Sequence, residues 1–308
     1  MSLRARIRRT VRRLALTVDP ARTTTLPPIF VGGTGRSGTT VTARILDAHP
    51  ANHMVAKEVR FLSDDGGLCD LAAGRIGVGR FSKRVRELWF DRGDGEGLQA
   101  LMDRAAVEDA LERLRRDVDV DPVAAAAAFT HRLLDPLAVA AGAQRWIEMT
   151  PGNVYVAPAL LRIFPDMRLV HSVRDGRDVA CSVARLTWGP DDLDEALDWW
   201  AAGLERAWKA TEALPPDRLL VMRMEDLVAN DREAAYRRLL AFAGLEDDPV
   251  MRSYFEDRAT VERAHIGRWQ TDVPPERRAA FDAHYRSLEA HLSAVAPELA
   301  MSGVPGPS

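Results

Sequence analysis

The chain has 308 residues, 46% of them hydrophobic, so it is long enough to bury a full hydrophobic core within one large domain. Its 42 basic and 45 acidic side chains give a net charge of -3, which excludes a general attraction to nucleic acid. The two cysteines, Cys69 and Cys181, are too few for a disulfide framework and suit a reducing compartment.

The N-terminal segment, residues 1–24, is predicted to be a basic arm. Its arginines at positions 4, 6, 8, 9, 12 and 13 are interspersed with Leu3, Ile7, Val11 and Leu14. Two interpretations of residues 1–16 stay open: an amphipathic contact with an anionic membrane surface, and a solvated terminus, which we favour. The chain has no run of about 18 apolar residues and no secretion signal, so we expect a cytoplasmic protein without a membrane span.

A glycine-rich loop follows the first predicted strand, at residues 28–32, and opens a helix. Gly33 and Gly38 have the spacing of the phosphate-binding loop G-x-x-x-x-G-K-[ST], but Thr39 stands where that loop has its lysine. The glycines let backbone N–H groups turn inward, and the start of the helix adds partial positive charge. The pattern therefore predicts an anion site whose cation is Arg36, within the loop.

A second predicted strand, turn and helix carries another basic element. The strand at 168–173 is followed by Arg174, and the helix at 176–186 carries Ser182. Eight residues are a little over two helical turns and arginine is long, so Arg174 and Ser182 can converge on one anion. Taken alone, the charged residues of this helix are more typical of a solvated salt-bridge face, so the interpretation depends on the glycine-rich loop.

The remaining pattern alternates strands and helices, as in a mostly parallel sheet covered on both faces. A third strand is predicted at 218–223, and further helices at 191–213 and 231–243. Residues 64–142 are glycine-punctuated and then alanine-rich without a strand pattern, which predicts a helical insertion. The Gly-, Pro- and Ser-rich residues 297–308 predict a loose tail. The predicted fold class is α/β, with a P-loop NTPase-like, mostly parallel sheet flanked by helices.

Together the two basic elements resemble the sulfotransferases that use 3'-phosphoadenosine 5'-phosphosulfate (PAPS). In that family an R-S-G-T-T loop, here residues 36–40, holds the 5'-phosphosulfate. The arginine and serine of a V-R-[DN]-x-R-[DE]-x-x-x-S element, here Arg174 and Ser182, hold the 3'-phosphate. The helix predicted at 39–48 ends in Leu-Asp-Ala-His-Pro, as in the tyrosylprotein and bacterial branch. The resemblance implies sulfuryl transfer to a hydroxyl acceptor, with adenosine 3',5'-bisphosphate (PAP) as product and no metal.

The resemblance also assigns roles to single residues. The expected PAPS ligands are Gly35, Arg36, Ser37, Gly38, Thr39, Thr40, Arg174, Ser182 and Arg268. Arg36 is also expected to be catalytic, because it can stabilise charge on the sulfuryl oxygens and the departing phosphate. Glu58, in an E-x-R context as in that branch, is the expected base for in-line attack by the acceptor hydroxyl. Alternatives are His53 as the base, or Glu58 in a structural ion pair with Lys57 or Arg60.

Of three positions near the expected nucleotide, two depart from the family pattern and one follows it. Met149 stands where many relatives have a lysine that steadies the sulfuryl group, and Met224 stands where many have a tyrosine near the adenine. Arg268 precedes Trp269, as in a family loop that closes over the nucleotide. Two other functions therefore stay open: a nucleotide kinase or ATPase, although the loop lysine is missing, and a non-catalytic nucleotide-binding protein, which the methionine at 149 motivates.

The predicted organisation has three parts. A basic arm at 1–24 precedes a sulfotransferase domain at 25–296, in which the insertion at 64–142 shapes the acceptor pocket, and the loose tail at 297–308 follows. We expect a small-molecule, glycan or natural-product hydroxyl as acceptor and no nucleic-acid partner. The resemblance does not choose among a carbohydrate, a phenol, a lipid and a natural product, so the acceptor class stays open.

Overall fold

The computed structural model describes residues 22–93 and 95–299. The predictions for residues 1–16, and for the tail from residue 300, lie outside this described part. The chain divides into two compact units, each made of two stretches. The first unit comprises Met1–Phe30 and Pro50–Met167, and the second comprises Val31–His49 and Arg168–Ser308.

The central feature is a five-stranded sheet with the strand order β2-β3-β1-β4-β5. Its strands are β1 (Ile29–Gly33), β2 (Asn52–Met54), β3 (Arg145–Glu148), β4 (Arg168–Val173) and β5 (Leu219–Arg223). The pairs β1–β3, β2–β3 and β4–β5 run parallel, with Ile29 opposite Ile147 and His171 opposite Val221. This parallel sheet with flanking helices confirms the predicted α/β fold class.

Helices make up most of the remaining described chain. The first unit contains α2 (Leu68–Ala72), α3 (Val78–Arg84), α4 (Arg104–Asp117), α5 (Pro122–Ala140) and α6 (Ala157–Ile163). The second unit contains α1 (Thr39–Asp47), α7 (Gly176–Val183), α8 (Leu193–Thr211), α9 (Met224–Val228), α10 (Arg232–Ala243), α11 (Pro249–Arg258), α12 (Val261–Ala264), α13 (Trp269–Asp272) and α14 (Pro275–Val295).

Two short strands were missing from the prediction. β2 has three residues and β3 has four, too few to show a clear alternation. β3 also carries two charged residues that are fully buried, Arg145 and Glu148, and these interrupt the apolar pattern. Arg145 Nε donates to Asn52 Oδ1 of β2 at 2.6 Å, so a side-chain hydrogen bond joins the two strands.

The predicted insertion at 64–142 is helical in the structure and forms no strand within its described residues. Its longest helix, α5, begins after Asp121, whose carboxylate accepts hydrogen bonds from two backbone N–H groups of the first turn. That the insertion shapes the acceptor pocket stays a prediction.

Helix α5 is, by length and composition alone, long and apolar enough to cross a membrane, with 19 residues and a mean hydropathy of 1.2. More than half of it is buried in the first unit. It also carries the buried Asp135, which accepts hydrogen bonds from His131 Nδ1 at 2.9 Å, Trp146 Nε1 at 2.8 Å and the backbone N–H of Thr24 at 3.0 Å. These contacts indicate a core helix, because a carboxylate with this many protein partners belongs to a packed interior.

In the second unit, packing of α7 against α8 holds the end of β4 in place. Trp200 of α8 is fully buried, and its Nε1 donates to the backbone oxygen of Arg174 at 3.2 Å. A Cβ atom on Gly176 would lie only 2.5 Å from the Trp200 ring, so this turn requires glycine. The indole therefore determines where Arg174 leaves the sheet.

His171, in the middle of β4, makes the stability of the second unit sensitive to acid. Its ring is fully buried, and neither ring nitrogen has a hydrogen-bond partner. Burial lowers the pKa of His171 from 6.5 to about 4, because the charged ring would lose its hydration. The unfolded chain therefore binds the extra proton first, and stability decreases as the pH falls from about 6.5 towards 4.

Between pH 7.5 and 5, the free energy of unfolding of His171→Leu should fall by about 2 kcal/mol less than that of the wild type. Urea unfolding of both proteins at the two pH values measures this difference. His291→Leu, on the exposed surface of α14, is the matched control and should keep the wild-type pH dependence. Equal losses in the wild type and His171→Leu would contradict the assignment.

Candidate active site

The loop between β1 and α1 adopts a backbone conformation that residues other than glycine rarely adopt. Arg36 has φ 70° and Gly38 has φ 92°, both in the left-handed region. Such a conformation is uncommon for a residue with a Cβ atom, and it is typical of sites where function requires it. Gly38 is also the N-cap of α1 and provides no side-chain cap, so the first N–H groups of the helix remain available for another acceptor.

Two glycines let neighbouring groups approach the loop closely. A Cβ atom on Gly33 would collide with the backbone oxygen of Ser172 and with Ser37 Oγ. A Cβ atom on Gly38 would collide with Met224 Cε. Met224, which the sequence comparison placed near the adenine, is buried in the structure and packs against the loop. Its contact with Gly38 supports the loop backbone.

The loop buries two hydroxyl groups that have no partner. Thr34 Oγ1 and Ser37 Oγ are fully buried and make no hydrogen bond in the structure. Buried polar atoms are nearly always satisfied, so two orphans in one loop indicate a site for a polar ligand. Thr39 is also buried, and Thr40 is half-buried, at the start of α1. This set of N–H and O–H donors fits the oxygens of a phosphate or sulfate group.

Arg36 reaches from the loop to the second basic element. Its Nε donates to Ser182 Oγ on α7 at 2.9 Å. The structure thus brings together two of the predicted nucleotide ligands that are far apart in sequence. The contact leaves the other guanidinium N–H groups of Arg36, an exposed residue, free to bind an anion.

Arg174 lies at the end of β4 and is almost completely buried. Its Nη2 donates to the backbone oxygen of His265 at 2.7 Å and to Asp178 Oδ2 at 3.3 Å, while its Nε is buried without a partner. The protein partners of Arg174 and Ser182 therefore differ. Their predicted convergence on a single anion stays a prediction, and the unpaired Nε is the group of Arg174 that an anion would satisfy.

Asp178 joins α7 to the segment before α13. Its buried carboxylate accepts hydrogen bonds from the backbone N–H groups of Gly267 at 2.8 Å and Trp269 at 3.1 Å, in addition to its contact with Arg174. Burial raises the pKa of Asp178, and Arg174 and the two N–H donors oppose that rise. Taken alone, its sequence context is more typical of a solvated salt-bridge face, whereas the structure places Asp178 in the interior as a fixed point for the loop.

Arg268, a predicted nucleotide ligand, forms an ion pair in the structure. Its Nε donates to Asp272 Oδ2 at 2.7 Å, and Asp272 also pairs with Arg185 at 2.9 Å. A role in nucleotide binding therefore requires Arg268 to share its charge between Asp272 and the ligand, and that role stays a prediction.

Glu225 is a buried acid that sequence reasoning did not single out. Its Oε1 accepts a hydrogen bond from the backbone N–H of Asp175 at 3.0 Å, directly after Arg174, and its Oε2 has no partner. Burial raises the pKa of Glu225 to about 7, because the carboxylate is taken out of water. The signal in the sequence was its position two residues after β5, in the segment that begins at Met224.

A cavity of ≈ 580 Å³ lies beside α1 in the second unit. It is lined by Val41, Arg44, Ile45, Tyr254, Arg258, Glu262, Arg263 and His265. Three arginines against one glutamate make this cavity basic, and the backbone of its lining residue His265 contacts Arg174. Sequence reasoning missed these residues, since they come from three separate segments with no shared motif.

Glu58, the predicted base, is an exposed residue of the first unit. Partial burial of the carboxylate and the negative charge of Glu148 raise the pKa of Glu58 above its ordinary value of 4.5. Lys57 pairs with Glu96 at 2.7 Å, and Arg60 pairs with Asp64 at 3.0 Å. The two cations of the alternative ion-pair interpretation therefore contact other acids.

Glu148 is a fully buried carboxylate that supports the neighbouring segment. It accepts hydrogen bonds from the backbone N–H groups of Val59 at 2.9 Å and Thr150 at 3.0 Å, and from Asn153 Nδ2 at 2.5 Å. Burial raises the pKa of Glu148, and these donors oppose the rise. The bond to Val59 fixes the backbone directly after Glu58.

The remaining candidates are located as follows. His53 lies half-buried in β2, opposite Trp146 of β3, and Met149 follows β3 directly. Cys69 and Cys181 are both free and buried. Within residues 22–93 and 95–299, no group of three or more His, Cys, Asp and Glu side chains could hold a metal ion.

Comparison with known proteins identifies the family. A model described as the sulfotransferase family matches residues 27–249. The sulfotransferase domain from the Synechococcus PCC 7002 olefin synthase is similar over 88% of this chain and 96% of that chain, with 16% identity and a TM-score of 0.55. The sulfotransferase domain from the curacin biosynthetic pathway has the same TM-score of 0.55 and 16% identity, over 88% of this chain and 99% of that chain.

The two solved structures support the fold alone, because their sequence identity to this chain is low. The family match, however, spans well over half of the chain and contains the glycine-rich loop, β4 and α7. The resemblance seen in the sequence is thereby confirmed, and the chain belongs to the sulfotransferase family.

Proposed function

We propose that the chain transfers the sulfuryl group of PAPS to a hydroxyl acceptor and releases PAP. The observation that carries the proposal is the donor set of the glycine-rich loop. Two buried hydroxyls without partners, on Thr34 and Ser37, lie beside the uncapped start of α1 and the cation Arg36. Such a set of donors is suited to the oxygens of a phosphosulfate.

The residues that would hold PAPS are those of the two basic elements. Gly35 to Thr40 would bind the 5'-phosphosulfate, and Arg174 and Ser182 the 3'-phosphate, with Arg268 as a further ligand. The basic cavity beside α1 offers room for the nucleoside, since its ≈ 580 Å³ is within the usual size of a small-molecule site. When bound, PAPS supplies the sulfuryl group. Arg36 and the loop donors stabilise the negative charge that develops during transfer.

Glu58 is proposed as the base that takes the proton of the acceptor hydroxyl. A carboxylate with a raised pKa is a better proton acceptor than an ordinary one. The Glu148–Val59 hydrogen bond restricts the backbone beside Glu58, and the charge of Glu148 keeps its pKa raised. His53 is the alternative base.

The two other functions left open by the sequence predict different results in measurements of sulfate transfer and PAP binding. A kinase or ATPase is not favoured, because Thr39 replaces the loop lysine and the family is that of sulfotransferases. A non-catalytic nucleotide-binding protein would bind PAP without transferring sulfate to any acceptor. Incubation with radiolabelled PAPS and a panel of hydroxyl acceptors, together with calorimetry of PAP binding, separates these functions.

Arg174→Ala should weaken PAP binding about 10- to 100-fold, because it removes charge-assisted hydrogen bonds to the 3'-phosphate, worth about 1.5–3 kcal/mol in total. Calorimetric titration with PAP measures the change. Arg286→Ala, at an exposed ion pair on α14, is the matched control and should bind PAP as the wild type does. Unchanged affinity in folded Arg174→Ala would remove Arg174 from the binding site.

Glu58→Gln should lower kcat by about 100-fold or more, the usual contribution of a general base, and should leave PAP affinity unchanged. Single-turnover transfer from radiolabelled PAPS measures the effect on chemistry. Glu87→Gln, an exposed glutamate of the same unit, is the control. If Glu58→Gln reacts at the wild-type rate, the base is another residue, and His53→Ala is the next variant to measure.

The pH dependence gives a separate test of the base. Glu58 must be ionised to accept a proton, so kcat should fall with decreasing pH through an apparent pKa above 4.5. Glu148→Gln removes the neighbouring negative charge and should move this acid limb to lower pH. Initial rates between pH 4 and 8 give the acid limb of the wild type and that of Glu148→Gln. An acid limb that Glu58→Gln leaves in place would argue against Glu58 as the titrating group.

A further inference from the structure

We propose that Trp188 and Trp199, two indoles beside the glycine-rich loop, form the acceptor-binding surface and select a phenolic acceptor. The inference rests on the proposed sulfuryl transfer and names the acceptor class of that same reaction. It is drawn entirely from residues of the second unit.

The first observation is the exposure and pairing of the indoles. Trp188 exposes 58% of its surface, an unusually large fraction for a residue of this size. Its ring centroid lies 5.9 Å from that of Trp199, with the ring planes tilted by 55°. Leaving a paired indole in water forgoes the free energy of burying it, so the exposed face is better explained by a ligand than by folding.

The second observation is the contact of both indoles with the loop. A Cβ atom on Gly35 would lie 2.9 Å from Trp188 Cη2 and 3.4 Å from Trp199 Cη2. Glycine at this position therefore allows both ring edges to lie against the loop backbone. The contact is one residue before Arg36, the cation expected to stabilise the sulfuryl group. An acceptor resting on the indoles would thus lie next to the loop that binds the transferred group.

The third observation is that Trp188 is held by the helix that also contacts Arg36. Trp188 lies in the turn after α7, where Leu186 N–H donates to Val183 O at 2.8 Å. A Cβ atom on Gly189 would collide with Val183 Cγ1, so the turn packs tightly onto α7. The same helix carries Ser182, the partner of Arg36. The acceptor surface is therefore fixed relative to the loop before any ligand binds.

The geometry of the pair favours an aromatic ring over other acceptor groups. Aromatic rings prefer offset-stacked or edge-to-face contacts with centroids 4.5–7 Å apart, and two tilted indoles can offer one contact of each kind. A phenol also carries its oxygen in the ring plane, which restricts its orientation once the ring is bound. A sugar would need several hydrogen-bond partners, and an alkyl alcohol would gain nothing from the ring geometry.

Transfer to a phenol forms one bond to sulfur and breaks another. The phenolic oxygen forms a bond to sulfur while the bond between sulfur and the bridging phosphate oxygen breaks, and PAP leaves. The phenolic proton passes to the general base of the proposed function. A phenol has a pKa of about 10, so it gives up this proton more readily than an alkanol does.

The test compares two acceptors of similar size, 2-naphthol and 3-cyclohexyl-1-propanol, with wild type, Trp188→Ala and Trp188→Phe. Trp188→Ala should raise the KM for 2-naphthol about ten-fold or more, with kcat and PAP affinity little changed. Trp188→Phe should restore most of the loss. Trp208→Ala, at a half-buried indole lining a separate cavity in the same unit, is the matched control. An unchanged KM, or an equal rise for both acceptors, would overturn the inference.

A binding measurement extends the test beyond turnover. Quenching of indole fluorescence by 2-naphthol, with PAP present, should be saturable in the wild type and weakened about ten-fold in Trp188→Ala. A protein that binds PAP and sulfates 3-cyclohexyl-1-propanol or N-acetylglucosamine but not 2-naphthol would overturn the phenolic acceptor and leave the proposed function intact. A protein that neither binds PAP nor transfers sulfate would overturn both.

Discussion

The close approach of backbone and side chains around the glycine-rich loop is the constraint on which the site depends. Ser172 and Met224 leave no room for a Cβ atom at Gly33 and Gly38, and the two indoles leave none at Gly35. The hydrogen bond between Thr42 Oγ1 and Ser172 Oγ, 3.1 Å long, joins α1 to β4 behind the loop. The loop is therefore held in one conformation, in which the buried hydroxyls of Thr34 and Ser37 have no hydrogen-bond partner.

At three places in the two units, a buried carboxylate accepts hydrogen bonds from backbone N–H groups of a neighbouring segment. Glu148 binds the backbone N–H of Val59 beside the proposed base, Asp178 binds those of Gly267 and Trp269, and Glu225 binds that of Asp175. Burial raises the pKa of each of the three acids. Removing such a group leaves buried N–H donors without partners, which costs more than the hydrogen bond itself contributed. In each case a buried carboxyl group thus holds the backbone of a neighbouring segment.

Much of the fold and part of the candidate site could be predicted from local patterns. The glycine-rich loop, the strand at 168–173 and the helix carrying Ser182 were identified because their geometry depends on short-range chemistry: glycines, a strand of apolar residues and a helix start. Strands β2 and β3 escaped detection because they are short and, in β3, contain buried charges. The role of Asp178 was left open, because only tertiary contacts decide whether a charged residue on a helix is buried.

The sequence by itself determined the α/β class, the glycine-rich loop with its arginine and the membership of the sulfotransferase family, since each depends on residues adjacent in the chain. The tertiary structure decided which distant groups meet. It brought Arg36 to Ser182, His265 to Arg174, and Trp188 with Trp199 to Gly35. These contacts join residues up to 164 positions apart, and no local periodicity encodes such distances. They result from the packing of α7, α8 and the segment before α13 around one end of β4.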